Sequence, residues 1–352
     1  MINYKLEKID AMNIENLTNI RYLTGFTGTY AFLILGKKKS WFFTDSRYTT
    51  YAKKLLSKDW TLIDTREIKK GTREKFLQKN GIKTIGFESD HVSVEQYGFT
   101  KKLLTKTKLK PIKNFVEDMR IVKTETELKK LKKAQQIAEK TLEEITKKYL
   151  KNGVTEKQIA WEIERIGHEL GADTISFAPI IGFGANSAVP HHQNTDKKFK
   201  KGDVILIDMG MKYQGYCSDM TRTFFTAKPT PLQQKIYNLV LEAQEMGIQK
   251  MRAGVTGAEI DKIARDHITA AGYGKNFDHS YGHGIGLEVH EAPSVSTNAK
   301  NKIPEGTIIT AEPGIYLEGQ FGVRIEDMCL IHKDRAENLT KSPKKLSQIC
   351  IS

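Results

Sequence analysis

Two acids close apolar runs in this chain, and each is followed by another acid. Asp208 ends Val204-Ile205-Leu206-Ile207 in GDVILIDMG, and Asp219 lies eleven residues on. Glu312 ends a similar run in GTIITAEPG, and Glu326 lies fourteen residues on, inside GVRIED. A carboxylate drawn into an apolar interior is costly unless something compensates it. If the four converge, they cannot all ionise without positive charge among them, and a metal pair is the economical answer. Five of the nine histidines fall in two short Gly- and Pro-rich stretches: His191 and His192 in AVPHHQNTD, and His279, His283 and His290 around GHGIGLEVHEAP. His283 lies between two glycines, where backbone can approach closely. Carboxylates with an imidazole suit divalent ions of intermediate hardness, manganese first, with cobalt, iron or zinc as alternatives. Such a pair polarises a carbonyl and supplies a nucleophile, free acids shuttle protons, and free histidines hold an oxyanion. The chemistry expected is hydrolysis.

An internal repeat would bring the acids together. GVTEKQIAWEIERIGHELG from Gly153 aligns with GVTGAEIDKIARDHITAAG from Gly254 at an offset of 101. GDVILIDMG aligns with GTIITAEPG at an offset of 104, placing Asp208 on Glu312. Two alignments in the same order at nearly equal offset predict a duplicated helix–helix–sheet unit. Thr124-x-x-Glu127 is a capping-box pattern opening a helix to about Leu150; a second helix follows Thr155 and stops at Gly171. Thr230 with Pro231 caps the helix that precedes the second copy. Upstream, AFLILGKKKSWFFTD reads as a hairpin, 46–56 as a helix and GIKTIGFES as a strand, so residues 1–122 form a smaller α/β domain and 123–352 the second domain.

Composition narrows the classes. The chain has 352 residues, 39% hydrophobic and 28% charged, an ordinary globular mixture. No apolar run nears the ~18–20 residues of a membrane span, and MINYKLEKID has no secretory h-region. Cys217, Cys329 and Cys350 are scattered, which predicts a cytoplasmic protein without a disulfide framework. The net charge of +14 is mostly lysine spread along the chain. With arginine scarce and no nucleic-acid motif, no nucleic-acid or membrane partner is expected.

Asp208, Asp219, GHGIG around His283, EPG at Glu312 and RIED at Glu326 resemble the "pita-bread" metallopeptidases, which include methionine aminopeptidase, aminopeptidase P and prolidase. The resemblance covers about residues 120–345 and implies an α/β (α+β) chain whose catalytic domain is a pseudo-two-fold repeat. It implies that Asp208 chelates one ion, His283 and Glu312 the other, and that Asp219 and Glu326 bridge them. Glu312 would shuttle the proton, His290 would stabilise the tetrahedral intermediate and His191 would stand near the scissile amide. His279, in F-x-H-x-x-G-H-G, and Arg324 would bind substrate; His192 would at most support.

YCSDMTRT, Arg324 and the junction MRIVKTETEL look like the Xaa-Pro peptidases. NIRYLTGFTGTYAFLIL followed by FTDSRYTTYA resembles the creatinase-type N-terminal domain that those enzymes carry. GFTG, with Phe26 and nearby Tyr30, reads as turn and core residues, or as a loop reaching a partner's active site. The resemblance implies removal of the residue before a proline in peptides, by a homodimer. Modest length favours the aminopeptidase form, with a dipeptidase (prolidase) as alternative. Methionine aminopeptidase or creatinase activity and a non-catalytic binding role are the minor readings.

Overall fold

A computed structural model describes residues 8–67 and 72–351. The chain divides into two compact units, Met1–Arg120 and Ile121–Ser352. Among the described residues, no helix is long and apolar enough to cross a membrane.

The first unit is built on a six-stranded mixed sheet in the order Trp60–Asp64, Ser40–Thr44, Phe32–Gly36, Ala11–Ile14, Thr84–Glu88, Lys108–Ile112. The hairpin read in AFLILGKKKSWFFTD is present, with Phe32–Gly36 antiparallel to Ser40–Thr44. Strand periodicity of two sorts its side chains. Met12, Ile14, Leu33, Leu35 and Phe42 pack into one core, and Ala11, Ile34, Trp41, Phe43 and Ile85 into the other. The helix expected over 46–56 is shorter, Thr49–Leu55. Its first residues are spent on a turn in which Asp45 accepts from the Arg47 and Tyr48 amides. Phe26 of GFTG is buried edge-on against Phe42 and Tyr48, whereas Tyr30 is exposed.

The second unit contains the duplication. Helices Glu125–Glu144 and Glu156–Glu169 precede the sheet Met220–Phe225, Val204–Met209, Ile180–Phe183; helices Pro231–Lys250 and Gly257–Ala270 precede the sheet containing Gly282–Gly284, Ile308–Ala311 and Asp327–Ile331. All four helices open with reciprocal capping boxes, at Thr124, Thr155, Thr230 and Thr256. The first helix passes into a π-turn, Ile145–Tyr149, before the turn at Gly153. The copies repeat even their turn bonds. Gly153 donates to Phe199 O and Gly254 to Ile303 O; both glycines have positive φ, +89° and +84°, which side-chain-bearing residues avoid. Isoleucine-rich helix stripes (Ile159, Ile163, Ile260, Ile268) and buried strand residues (Ile205, Ile207, Ile309) share one core. The two sheets meet where the Glu326 amide donates to Thr221 O and the Thr223 hydroxyl to Arg324 O. That seam positions the acids.

Candidate metal centre and its cleft

Each acid is held by a strand that the hydrophobic pattern made rigid. Asp208 lies within Val204–Met209, opposite Thr221. Asp219 immediately precedes Met220–Phe225, Glu312 follows Ile308–Ala311, and Glu326 precedes Asp327–Ile331. His283 is central in the short strand Gly282–Gly284. Its glycine neighbours are required by proximity: a Cβ on Gly282 would stand 2.1 Å from Thr310 O, and one on Gly284 2.3 Å from Ala292 O.

The structure brings Asp219, His283 and Glu326 together, with one donor atom from each lying within 4.8 Å of the others. His283 Nε2 is 3.2 Å from Glu312 Oε1 and 3.6 Å from Asp219 Oδ2. His283 Nδ1 donates to Gly284 O at 3.0 Å, which leaves Nε2 facing the carboxylates. Asp208 faces Arg324, with Nη2 2.5 Å from Oδ2. The same guanidinium donates to Thr221 Oγ1, the Tyr316 hydroxyl and Pro190 O. Glu326 Oε2 accepts from Thr221 Oγ1 at 2.8 Å.

The charges are incompletely compensated. Burial, then the charges of Glu326, Asp208 and Glu312, push Asp219 well above the usual carboxylate range. Burial, then Glu312 and Asp208, do the same to Glu326. Burial also raises Asp208, against the opposing pull of Arg324. For Glu312, burial is outweighed by the bond to and charge of His283, and its carboxyl is held down. His283 is raised in turn: burial opposes its charge, but the Glu312 contact prevails. Asp208 is thus bonded to Arg324 and Glu312 to His283, whereas at Asp219 and Glu326 burial and the neighbouring carboxylates prevail. Asp208 Oδ1, Asp219 Oδ1 and Glu326 Oε1 are buried without a hydrogen-bond partner. Buried polar atoms are ordinarily paired, and three orphaned carboxylate oxygens beside an available imidazole nitrogen fit a divalent cation.

These residues line a cleft of about 410 Å³ together with Phe177, Ile180, His191, His279, His290 and Arg324. The His290 ring lies edge-on to His283 at 4.4 Å. Burial, then the charge of His283, depress its pKa and favour the neutral ring. His279 is engaged at both nitrogens, with Ser280 O and the Tyr316 hydroxyl. His192 does not line the cleft; its Nε2 bonds Glu156 Oε2 at 2.8 Å. Sequence reasoning passed over Tyr316 and Thr221, which tie Arg324, His279 and Glu326 together. Their signal was weak: Tyr316 sits in EPGIYLE, Thr221 in SDMTRT, both beside the quoted acids.

Comparison with known proteins identifies the family. Residues 129–333 match "Metallopeptidase family M24", and residues 4–122 match "Creatinase/Prolidase N-terminal domain". A protein of Pyrococcus horikoshii named Xaa-Pro dipeptidase is 38% identical over 348 residues, covering 96% of this chain and 94% of its own. Among solved structures, the Xaa-Pro dipeptidase from Bacillus anthracis superposes with a TM-score of 0.92 at 38% identity, covering 96% of this chain and 94% of that one. The X-Pro aminopeptidase from Thermotoga maritima gives 0.89 at 37%, covering 96% and 97%. The architecture is therefore a creatinase-type N-terminal domain followed in sequence by the pita-bread repeat, and the chain is a member of metallopeptidase family M24.

Proposed function

We propose that the protein is an Xaa-Pro dipeptidase that hydrolyses the bond between an N-terminal residue and proline, using two divalent ions, manganese first. The sequence favoured the aminopeptidase form. The dipeptidase names borne by relatives at 35–38% identity over nearly the whole chain favour the shorter substrate, while the Thermotoga structure carries the other name. The observation carrying the reading is the convergence of four acids and His283 with three further histidines in one cleft.

Asp208, Asp219, His283, Glu312 and Glu326 would hold the ions, which when bound polarise the scissile carbonyl and lower the pKa of water. The Xaa-Pro amide nitrogen is tertiary and carries no N–H, so cleavage requires a proton to be delivered to that nitrogen. Glu312 takes a proton from the attacking water and passes it toward the departing proline. Neutral His290 donates an N–H to the developing oxyanion. His191 stands at the leaving-group side. His279, held between Ser280 O and Tyr316, forms pocket wall for the pyrrolidine ring, and Arg324 fixes Asp208 while bordering the same pocket. The reading includes a domain boundary at residue 122, a homodimer and a cytoplasmic location.

Metal-loaded protein assayed on Ala-Pro, Ala-Pro-Gly and Ala-Ala tests the reading. Cleavage of Ala-Pro well above Ala-Ala is expected. Cleavage of Ala-Pro-Gly alone would restore the aminopeptidase form, and no proline-dependent cleavage with any divalent ion would overturn both.

A further inference from the structure

His191 reaches the cleft from a turn, and nothing bonded to its ring holds it there. The residue is exposed, and among the described residues its imidazole has no hydrogen-bond partner. Its placement is therefore set by backbone. Val189-Pro190-His191-His192 forms a β-turn closed by the His192 amide on Val189 O at 3.2 Å, with proline and His191 at the two central positions. The side chain of the closing residue points away from the cleft to a buried acid, Glu156.

Glu156 is fully buried and accepts five hydrogen bonds, all from residues 183–195. Its Oε1 takes the Phe183 amide at 3.0 Å and Asn186 Nδ2 at 2.8 Å. Its Oε2 takes His192 Nε2 at 2.8 Å, the Thr195 amide at 2.9 Å and the Thr195 hydroxyl at 2.7 Å. Burial opposes ionisation of this carboxyl, but the bonds from His192, Thr195 and Phe183 outweigh it and hold it below its ordinary value. The duplication supplies an internal control. Glu156 opens helix Glu156–Glu169 behind Thr155; at the offset of 101, Gly257 opens Gly257–Ala270 behind Thr256. There a Cβ would stand 2.3 Å from Ser294 O, so backbone packs directly onto the helix start. The fold closes this corner without a carboxylate in one copy. In the other copy the acid serves the loop that carries His191.

We propose that Glu156 and His192 form a latch that sets the position of His191 in the cleft, making both positioning residues for hydrolysis although neither lines the site. The inference rests on the proposed function. Without the latch the turn loses its side-chain anchor, and His191 samples positions off the leaving group.

The test is a double-mutant cycle in the manganese-loaded enzyme with Ala-Pro as substrate. His192→Ala and Glu156→Gln are each expected to lower kcat by about tenfold to a hundredfold, the cost of misplacing a reacting group by about an ångström, with KM little changed. His192→Gln, which retains a donor, should recover part of that loss. Bound metal should stay at the wild-type level and the far-UV circular dichroism unchanged, although Glu156→Gln, which leaves buried donors without an acceptor, should melt lower. In a His191→Ala background the latch variants should cost under about twofold, because the group they position is gone. Full kcat in His192→Ala, or the same fold loss with and without His191, would overturn the latch. A wild-type chain inactive on every Xaa-Pro peptide would fail the proposed function instead. The latch is then judged by hydrogen exchange of the 186–195 amides, which should quicken at least about tenfold in Glu156→Gln with the rest unaffected; unchanged exchange would overturn it.

Discussion

Replacing Glu326 by glutamine should stabilise the metal-free protein and remove most of the stabilisation that metal gives the wild type. Glu326 is 1% exposed, with Oε2 bonded to Thr221 and Oε1 without a partner. A donor atom of Asp219 lies within 4.8 Å. Two carboxylates at that separation repel by about 3 kcal/mol at an effective dielectric of about 20. Proton uptake by the raised carboxyls relieves part of this, so removing one charge should stabilise the metal-free protein by about 1–3 kcal/mol. Glutamine keeps an acceptor for Thr221 and offers an N–H toward Asp219. For a unit of this size, each kcal/mol moves the thermal midpoint by about 2–4 °C. With manganese present the wild type should gain about 2.7 kcal/mol at a hundred times the dissociation constant, and the variant far less. Calorimetry of EDTA-treated and manganese-saturated samples, with metal content by elemental analysis, reads both effects. If Glu326→Gln melts below wild type by the same margin with and without metal, Glu326 is structural and the reasoning fails.

The same electrostatics set a pH dependence. Asp219 and Glu326 have folded-state values raised from 3.8 and 4.5, so their ionisation costs stability. The metal-free protein should be more stable at pH 5 than at pH 8, losing stability as pH rises through the raised values. Saturating manganese should flatten that slope, and melts across this range check it. Arg222→Met should cost at least about 3 kcal/mol, because the 1%-exposed guanidinium meets Asp327 and the carbonyls of Thr221, Glu326, Ser342 and Pro343. Denaturant unfolding measures it. Gly257→Ala should destabilise by about 1–3 kcal/mol despite better helix propensity, since the Ser294 carbonyl at 2.3 Å is backbone and cannot step aside; thermal melting reads the sign.

The repeat and the four acids were legible because they rest on local rules. Gly153, Gly171 and Gly202 recur as Gly254, Gly272 and Gly306, and all six have positive φ in the structure. Apolar runs ending in Asp208 and Glu312 announced buried strands with a charge at the end. What escaped was decided by partners far away in sequence. Arg324 read as a substrate-binding residue and does border the cleft; what the sequence did not show is that its guanidinium lies on Asp208, 116 positions away, and on Thr221. Tyr316 reads alone as an ordinary strand aromatic, and its hydroxyl gains meaning only between His279 and Arg324. Glu156 was visible as the one acid set against a glycine in the aligned helix starts, but sequence did not say which loop it would hold. The helix expected from Ser46 was shortened by the Asp45 turn, a hydrogen-bond competition that propensity does not weigh.

Hydrolysis of Ala-Pro by EDTA-stripped protein titrated with manganese decides whether the cleft is a metal-dependent Xaa-Pro site. Activity absent without metal, restored on titration, at least about a hundredfold above that on Ala-Ala, and lost in Asp219→Asn with the fold intact is the predicted result. Equal turnover of Ala-Pro and Ala-Ala, or activity indifferent to metal and to Asp219, would contradict it.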